Sequence, residues 1–156
     1  HLSSLTDETV NLGMIDDTEV VFVQRIVSRH VFNENVVIGT RLPAFCTAAG
    51  IAILAHLPAA EARGILERSE LTPYTANTTY RLEDLLAKLE RTAAQGYSLT
   101  NGEYYSDISI GAPVLDASGQ PVAAVTLALS IARFSVEEAE SRFAPLVIEA
   151  SRSIAV

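Results

Sequence analysis

Residues 41–58 have the sequence Arg-Leu-Pro-Ala-Phe-Cys-Thr-Ala-Ala-Gly-Ile-Ala-Ile-Leu-Ala-His-Leu-Pro. A Leu-Pro pair leads into small residues at 46–49, and these open directly into an apolar segment that indicates a buried helix. The first backbone N–H groups of a helix have no acceptor within it. Because almost no side chain stands over them here, they can face an anionic group, which the helix dipole favours. The stretch is therefore typical of a carboxylate site, although small residues at a helix start also permit close packing of the helix.

The length and composition indicate one compact domain. The chain has 156 residues, of which 49% are apolar and 19% charged, and a chain of this size buries about two-thirds of its unfolded surface. No apolar run approaches the roughly 20 residues of a membrane-spanning helix. The single cysteine excludes an internal disulfide bond and fits a reducing cytoplasm. Because the chain begins with His rather than Met, we expect it to be part of a longer protein.

The charge of the chain argues against contact with nucleic acid. The formal net charge is −8, and the 11 basic residues are scattered along the sequence. Domains that bind nucleic acid carry a basic face that contacts the phosphates. We therefore expect this segment to make no direct contact with DNA.

Periodicity predicts an α+β domain with a largely antiparallel sheet flanked by helices. Alternating apolar residues predict a hairpin over 8–15 and 19–27, with its turn at 16–18, and a short strand over 36–38. Helical spacing predicts helices over 47–57, 58–68, 81–95 and 136–154, and further strands are predicted over 97–101, 108–115 and 121–130. Ser135 and Glu138 have the spacing of a capping box, and Gly96 suits a helix end. A hairpin, helices, strands and a closing helix together indicate this fold class.

Cys46 raises the alternative of a small enzyme with a nucleophilic or redox thiol. A thiol near a helix N-terminus can have a lowered pKa, and His30 and His56 supply imidazoles. His56, however, lies about ten residues along the same predicted helix, or ~15 Å away, and a buried free cysteine is commonly core material. No spacing of His, Cys and acidic residues suits a metal site, so we expect no metal or cofactor. Arg41 suits either a ligand carboxylate or a surface ion pair.

Four blocks of the sequence resemble, in order, the effector-binding domain of IclR-type bacterial transcriptional regulators. Arg-Leu-Pro-x-x-x-Thr-Ala-x-Gly-x-Ala-Ile-Leu-Ala-x-Leu-Pro within residues 41–58 is similar to the central signature of that family. The other blocks are residues 8–23, Gln95-Gly96-Tyr97-Ser98 with Glu103, and Ile110-Gly111-Ala112-Pro113-Val114 with Asp116, Gly119 and residues 122–125. The resemblance covers nearly the whole chain. It implies a GAF- or PAS-like fold, a homodimer or homotetramer, and a helix-turn-helix DNA-binding domain absent from this chain.

The resemblance also implies an effector site between the start of the central helix and the last strands. Backbone donors would come from Ala48 and Ala49, and Thr126 and Ala128, two apart on one predicted strand, would share a face. The full set of predicted effector-binding residues is Phe45, Thr47, Ala48, Ala49, Thr100, Tyr104, Ser109, Thr126 and Ala128. Since Phe45 precedes the small residues and positions 100 and 128 are less polar than in relatives that bind small polar acids, we expect an apolar pocket. Such a pocket suits an aromatic or longer aliphatic carboxylate.

We interpret the chain as a non-catalytic effector-binding domain of a cytoplasmic IclR-type regulator. Its small carboxylate effector would favour one arrangement of the subunits and thereby control DNA binding by the missing domain. Residues 45–50, Phe-Cys-Thr-Ala-Ala-Gly, look most like relatives that govern aromatic-acid catabolism. Two alternatives remain open from the sequence: a GAF-like enzyme that uses Cys46, and an effector-free oligomerisation module whose pocket is filled by its own side chains.

Overall fold

The described part of the chain contains a six-stranded antiparallel sheet. The computed structural model describes residue 2 and residues 8–26 and 37–154. The strands are β1 (Thr9–Asp16), β2 (Glu19–Ile26), β3 (Arg41–Pro43), β4 (Ser98–Asn101), β5 (Asp107–Leu115) and β6 (Pro121–Ser130). Their order across the sheet is β3-β2-β1-β6-β5-β4, and each neighbouring pair is antiparallel.

Helices cover both faces of this sheet. They are α1 (Ala48–Leu54), α2 (Ala59–Arg68), α3 (Leu82–Gln95), α4 (Val136–Glu138) and α5 (Ala144–Arg152), with a π-helical turn (Ala139–Phe143) between the last two. The prediction of an α+β domain with an antiparallel sheet flanked by helices is confirmed.

The period of two along β5 and β6 divides the apolar residues between two cores. Ile108 and Ile110 of β5 pack with Leu127 of β6 against Phe143 and Val147 at the C-terminal end of the chain. The opposite face of the sheet packs against α1, and residues of α2 and α3 belong to the same core. β6 is buried over nearly its whole length because helices cover it on both sides. The face that meets α1 is the one that carries the candidate site.

Glycines allow α1 to approach this face closely. A Cβ atom on Gly111 of β5 would lie 2.8 Å from the carbonyl oxygen of Ala48, and a Cβ on Gly13 of β1 would lie 3.3 Å from the Cβ atom of Ala49. The Ser98 hydroxyl of β4 donates a hydrogen bond to the Ala48 carbonyl at 2.6 Å. The start of α1 is thereby fixed against the sheet, so the small residues predicted there do serve close packing.

Several predicted bounds need correction. Val37 and Ile38 lie in a loop and turn rather than a strand, whereas Val36 and Val27 lie outside the described residues. The strand in this region is β3, because the backbone of residues 41–43 pairs with that of residues 19–21. The helix predicted over 47–57 ends at Leu54, and the chain turns through 55–57, where the His56 N–H bonds to the Ile53 carbonyl.

The closing helix also departs from its predicted form. It is interrupted by the π-helical turn and ends at Arg152, so Ile154 lies outside it. The two end signals were correct. Ser135 and Glu138 form a capping box, and Gly96 follows α3 with a φ of +88°, a conformation that favours glycine.

Candidate functional site

A pocket of about 60 Å³ lies between the start of α1 and one face of the sheet. The strand register builds its polar floor. Arg25 of β2 lies opposite Asn11 of β1, and Asn11 lies opposite Thr126 of β6. Residues opposite each other in neighbouring strands share a face of the sheet. These three side chains therefore form one continuous row.

A second row runs beside the first. Ala128 of β6 lies opposite Ser109 of β5, and Ser109 lies opposite Thr100 of β4. Because Ala128 is two residues from Thr126, the second row is on the same face as the first. The register thus brings hydroxyl, amide and guanidinium groups from five strands to one side of α1.

The structure brings most of the predicted site residues together in this pocket. Those that line it are Thr47, Ala48, Ala49, Thr100, Tyr104, Ser109, Thr126 and Ala128. Phe45 does not. Its side chain is buried in the core, where its ring centroid lies 6.1 Å from that of Tyr74. The reason is a single 3₁₀ turn (Ala44–Cys46), which places Cys46 rather than Phe45 at the pocket wall.

The start of α1 is capped by its own threonine. The Thr47 hydroxyl accepts a hydrogen bond from the Gly50 N–H at 3.4 Å and donates one to the Pro43 carbonyl at 3.0 Å. The N–H groups of Ala48 and Ala49 belong to the first turn and have no acceptor within the helix. Both residues line the pocket, so donors at this wall remain compatible with an acid in the cavity.

Sequence reasoning missed several pocket residues. They are Asn11, Phe22, Arg25, Leu42, Cys46 and Asp107. The signal for two of them was present, because Asn11 and Arg25 are polar residues inside apolar strands. The predicted apolar character is therefore wrong at this end of the pocket, where a guanidinium and a carboxylate contribute to the wall.

Arg25 is the cationic residue among those that line the pocket. Its Nη1 donates a hydrogen bond to Asn11 Oδ1 at 3.1 Å, which fixes the guanidinium along the floor. Its Nε is buried and, within the described residues, lacks a hydrogen-bond partner. Burial lowers the pKa of Arg25, but a guanidinium keeps its charge at physiological pH. A buried N–H of a charged group without an acceptor is costly, so an acceptor that enters the pocket gains that interaction.

Asp107 supplies the opposite charge at the first residue of β5. Burial raises the pKa of its carboxyl group to about 6, whereas hydrogen bonding and the charge of Arg25 act to lower it. The Ser109 hydroxyl donates to Asp107 Oδ2 at 3.3 Å. Among the ion pairs of residues 8–26 and 37–154, none joins Arg25 to Asp107. The two charges therefore influence each other without direct contact.

Replacement of Asp107 by asparagine is expected to stabilise the domain at neutral pH. The pKa of Asp107 is about 6 in the folded protein, against about 4 in an unfolded chain, so its ionisation removes stability as pH rises from about 4 to about 6. Asp107→Asn should raise the free energy of unfolding by about 1–2 kcal/mol at pH 7, after allowance for partial exposure. Urea denaturation at several pH values measures this gain, which should shrink towards pH 4. A variant less stable than the wild type at pH 7 would contradict the assignment.

The environment of Cys46 does not activate its thiol. The side chain is buried, and burial raises the pKa of the thiol to about 12. A nucleophilic cysteine needs the thiolate form, which is scarce at neutral pH with such a pKa. His56 is engaged elsewhere, since its Nδ1 is 2.9 Å from the Ala52 carbonyl oxygen. The geometry gives no support to the Cys46 enzyme.

A loop that carries two tyrosines forms one wall of the pocket. Tyr104 and Tyr105 line the cavity, and their rings meet edge to face with centroids 4.9 Å apart. The Tyr74 ring packs edge to face against Tyr104 at 5.0 Å. Both partners of this contact lie in loops, so the pocket wall on this side depends on loop position rather than on the sheet.

The same loop is tied to α3 and to the segment before it. Lys88 of α3 forms a buried ion pair with Glu103, with Nζ and Oε2 2.5 Å apart. The hydroxyls of Thr75 and Thr78 donate to the carbonyls of Gly102 and Glu103, each at 2.6 Å. The position of the loop that carries the tyrosines is therefore fixed by one buried ion pair and by two hydrogen bonds from threonine hydroxyls.

Other candidate groups lie away from the pocket. Arg41 is in exposed ion pairs with Asp16 and Glu19, so of its two predicted roles it has the surface ion pair. Within the ranges that the structure describes, no group of three or more His, Cys, Asp or Glu residues could hold a metal ion. None of the helices in those ranges is long and apolar enough to cross a membrane.

Comparison with known proteins identifies the class to which this fold and pocket belong. Residues 1–156 match the family model for the bacterial transcriptional regulator IclR C-terminal domain. The chain is 30% identical over 156 residues to the Pca regulon regulatory protein of Pseudomonas putida, a match that covers 99% of this chain and 54% of that protein. This chain belongs to the IclR family of transcriptional regulators, and its curated relatives are named as regulators. It spans about half the length of the curated relatives that it matches.

Solved structures agree with this assignment. The C-terminal domain of the Escherichia coli transcriptional regulator KdgR has a TM-score of 0.86 and 33% sequence identity, and the match covers 97% of this chain and 87% of that one. The inducer-binding domain of PobR from Acinetobacter, a double mutant in complex with 3-hydroxybenzoic acid, has a TM-score of 0.86 and 26% identity over 96% of this chain and 89% of that one.

Proposed function

We propose that this chain is an effector sensor that binds a small carboxylic acid in the pocket between α1 and the sheet. The acid would change the affinity for DNA of a helix-turn-helix domain outside this chain. One observation about Arg25 carries the proposal. Its buried Nε lacks a hydrogen-bond partner among the described residues, and its side chain lines a cavity rich in hydroxyl groups. A carboxylate supplies the acceptor that this Nε needs, and charge-assisted hydrogen bonds of this kind are among the stronger ones.

The size of the cavity favours a small acid. Its volume of about 60 Å³ is well below the ~150 Å³ of a cavity that holds a benzene ring. An aromatic acid therefore requires the pocket to widen, and we infer that Tyr104 and Tyr105, which lie in a loop of its wall, move outward. The complex of the PobR domain with 3-hydroxybenzoic acid supports keeping aromatic acids in the test, as does the resemblance of residues 45–50 to regulators of aromatic-acid catabolism.

Control of DNA binding requires that the acid bind two arrangements of the protein with different affinity. We infer a homodimer or homotetramer in the cytoplasm, in which the acid biases the arrangement of subunits. The exposed apolar side chains of the hairpin offer surface for such contacts: Met14 is 45% and Ile26 is 53% exposed. The formal net charge of −8 disfavours contact between this chain and DNA, so we assign that contact to a domain outside this chain.

A thermal-shift screen against keto acids, hydroxy acids, dicarboxylic acids, sugar acids and aromatic acids tests the proposal. An acid present at a hundred times its dissociation constant stabilises the folded state by about 2.7 kcal/mol, which raises Tm measurably. Arg25→Gln should weaken the binding of a selective acid at least tenfold, because it removes a charge-assisted hydrogen bond.

Arg68→Gln is the matched control. Arg68 is likewise an arginine held by a side-chain hydrogen bond, here to Asp17 at 2.7 Å, but it is exposed and is not among the residues that line the pocket. Its replacement should leave the affinity for the acid unchanged. If no acid raises Tm, the effector-free oligomerisation module is the better account; if both variants weaken binding alike, the acid does not bind at Arg25.

A further inference from the structure

The two charged residues at one end of the pocket suggest how an acid is selected. We propose that Arg25 and Asp107 form a two-part recognition site for an acid that carries a second, hydrogen-bond-donating group. The carboxylate of the acid would bind the Arg25 guanidinium, and its donor group would bind the Asp107 carboxylate. This inference rests on the proposed function, since it names the class of acid that the same pocket selects.

The first observation concerns the position of the two side chains. Arg25 is on β2 and Asp107 begins β5, and β1 and β6 lie between these strands. Both residues nevertheless line the same cavity. Their charges are close enough to interact, yet no ion pair between them is found in the described ranges. A ligand in the cavity can therefore contact both.

The second observation concerns the hydrogen bonds still available at each residue. On Arg25, Nη1 is used by Asn11, whereas the buried Nε lacks a partner within the described part of the chain. On Asp107, Oδ2 accepts a hydrogen bond from the Ser109 hydroxyl at 3.3 Å. An ionised carboxylate has about four lone-pair sites on its two oxygens. Asp107 can therefore accept a further hydrogen bond from a ligand while it keeps that of Ser109.

The presence of Asp107 would make the pocket selective. An acid without a donor group would place its carboxylate in the same pocket as the Asp107 carboxylate. The ligand would then donate no hydrogen bond to Asp107, and the two negative charges would repel each other. A hydroxyl or ammonium group on the ligand would instead donate a hydrogen bond to the Asp107 carboxylate and offset this repulsion. Sites built to bond a particular polar group discriminate strongly against analogues that lack it, because the buried group of the protein is left unpaired.

Matched acids of similar size provide the test. Calorimetric titration would compare propionate with lactate and alanine, and benzoate with 2-, 3- and 4-hydroxybenzoate. The wild-type domain should bind at least one donor-bearing acid about tenfold or more tightly than its unsubstituted partner, as expected for a hydrogen bond to a charged group. The lactate and alanine arms distinguish a hydroxyl donor from an ammonium donor.

Asp107→Val keeps a strand-forming residue and removes the acceptor. It should abolish the preference within a matched set while it leaves the unsubstituted acid bound as well as before, or more tightly. Asp84→Val removes an exposed carboxylate of α3 that does not line the pocket; it is the control and should retain the preference. Equal affinity for all members of each set in the wild type, or a preference that survives Asp107→Val, would overturn this inference and leave the proposed function intact. Failure of every acid to bind the wild-type domain would overturn both.

If Asp107→Val does not fold, the role of Asp107 is tested with a milder substitution. Asp107→Asn is then the second variant, since it keeps the shape of the side chain and removes its charge. It should reduce the preference for the donor-bearing acid by several fold, because a hydrogen bond between neutral groups is weaker than one to a charged group. An unchanged preference would count against the role of Asp107.

Discussion

Gly50→Ala is expected to destabilise the domain by about 3 kcal/mol, the reverse of what helix propensity predicts. Alanine within a helix is usually about 1 kcal/mol better than glycine. Gly50 is in α1, however, where a Cβ atom would overlap the carbonyl oxygen of Ala44 and lie 2.5 Å from its Cα. These are backbone atoms of a buried turn, so α1 or the turn must move, and such overpacking costs 1–3 kcal/mol or more.

Gly64→Ala in α2 is the matched control. A Cβ there would meet the flexible end of the Arg68 side chain at 3.3 Å, which can shift at little cost. This variant should gain up to about 1 kcal/mol from helix propensity. Urea denaturation of the two variants measures both free energies of unfolding. If Gly50→Ala were as stable as the wild type, the close approach of α1 to the preceding turn would be wrong, and with it the geometry of the pocket wall.

Lys88→Met is expected to have the second large effect, a loss of about 3–5 kcal/mol. Lys88 and Glu103 are largely buried, with side chains 11% and 8% exposed. Methionine has a length similar to that of the lysine stem but leaves the Glu103 carboxylate buried without its cation. Glu103 also accepts a hydrogen bond from the Thr79 N–H at 3.3 Å, which does not replace the lost charge.

The double variant Lys88→Met/Glu103→Leu distinguishes the interaction energy of the ion pair from the cost of leaving one charge buried without its partner. Replacing both partners of a buried ion pair is often far less costly than removing one. The double variant should therefore recover more than half of the stability lost in Lys88→Met. Chemical denaturation of the single and double variants gives the coupling energy of the pair. A cost for Lys88→Met within 1 kcal/mol of zero, or a double variant less stable than the single one, would contradict the buried pair.

Local pattern was sufficient to predict most of the elements of this fold. The alternation in residues 8–15 predicted β1, and the leucines of residues 81–95 predicted α3, because these patterns depend on neighbours in sequence. β3 was not predicted, since three residues are too few for a period and their pairing with residues 19–21 is a tertiary contact. The π-helical turn before α5 was not predicted either; its Ala139 and Phe143 belong to the core that β5 and β6 form with α5.

Pattern alone did not reveal which face of β1 lines the site. The prediction of β1 was based on the apolar residues Val10, Leu12 and Met14. The more deeply buried residues of this strand are instead Thr9 and Asn11, which are on the face that meets the pocket. Arg25 and Asp107 were missed for a related reason. They are far apart in sequence, and only the register of β2, β1, β6 and β5 places them around one cavity. The residues that were predicted came from the family resemblance, whose central segment already contains the start of α1.

The most direct test of the central claim is to locate the bound acid by NMR. The ¹⁵N-labelled domain would be titrated with the strongest-binding acid from the thermal-shift screen. We expect the largest amide shift changes at the start of α1 and along the pocket floor, at Ala48, Ala49, Ser109 and Thr126. Arg25→Gln should strongly reduce these changes at the same concentration of acid. Largest changes instead at the apolar groove between α2 and α3, around Leu57, Ala60 and Leu89, would contradict the central claim.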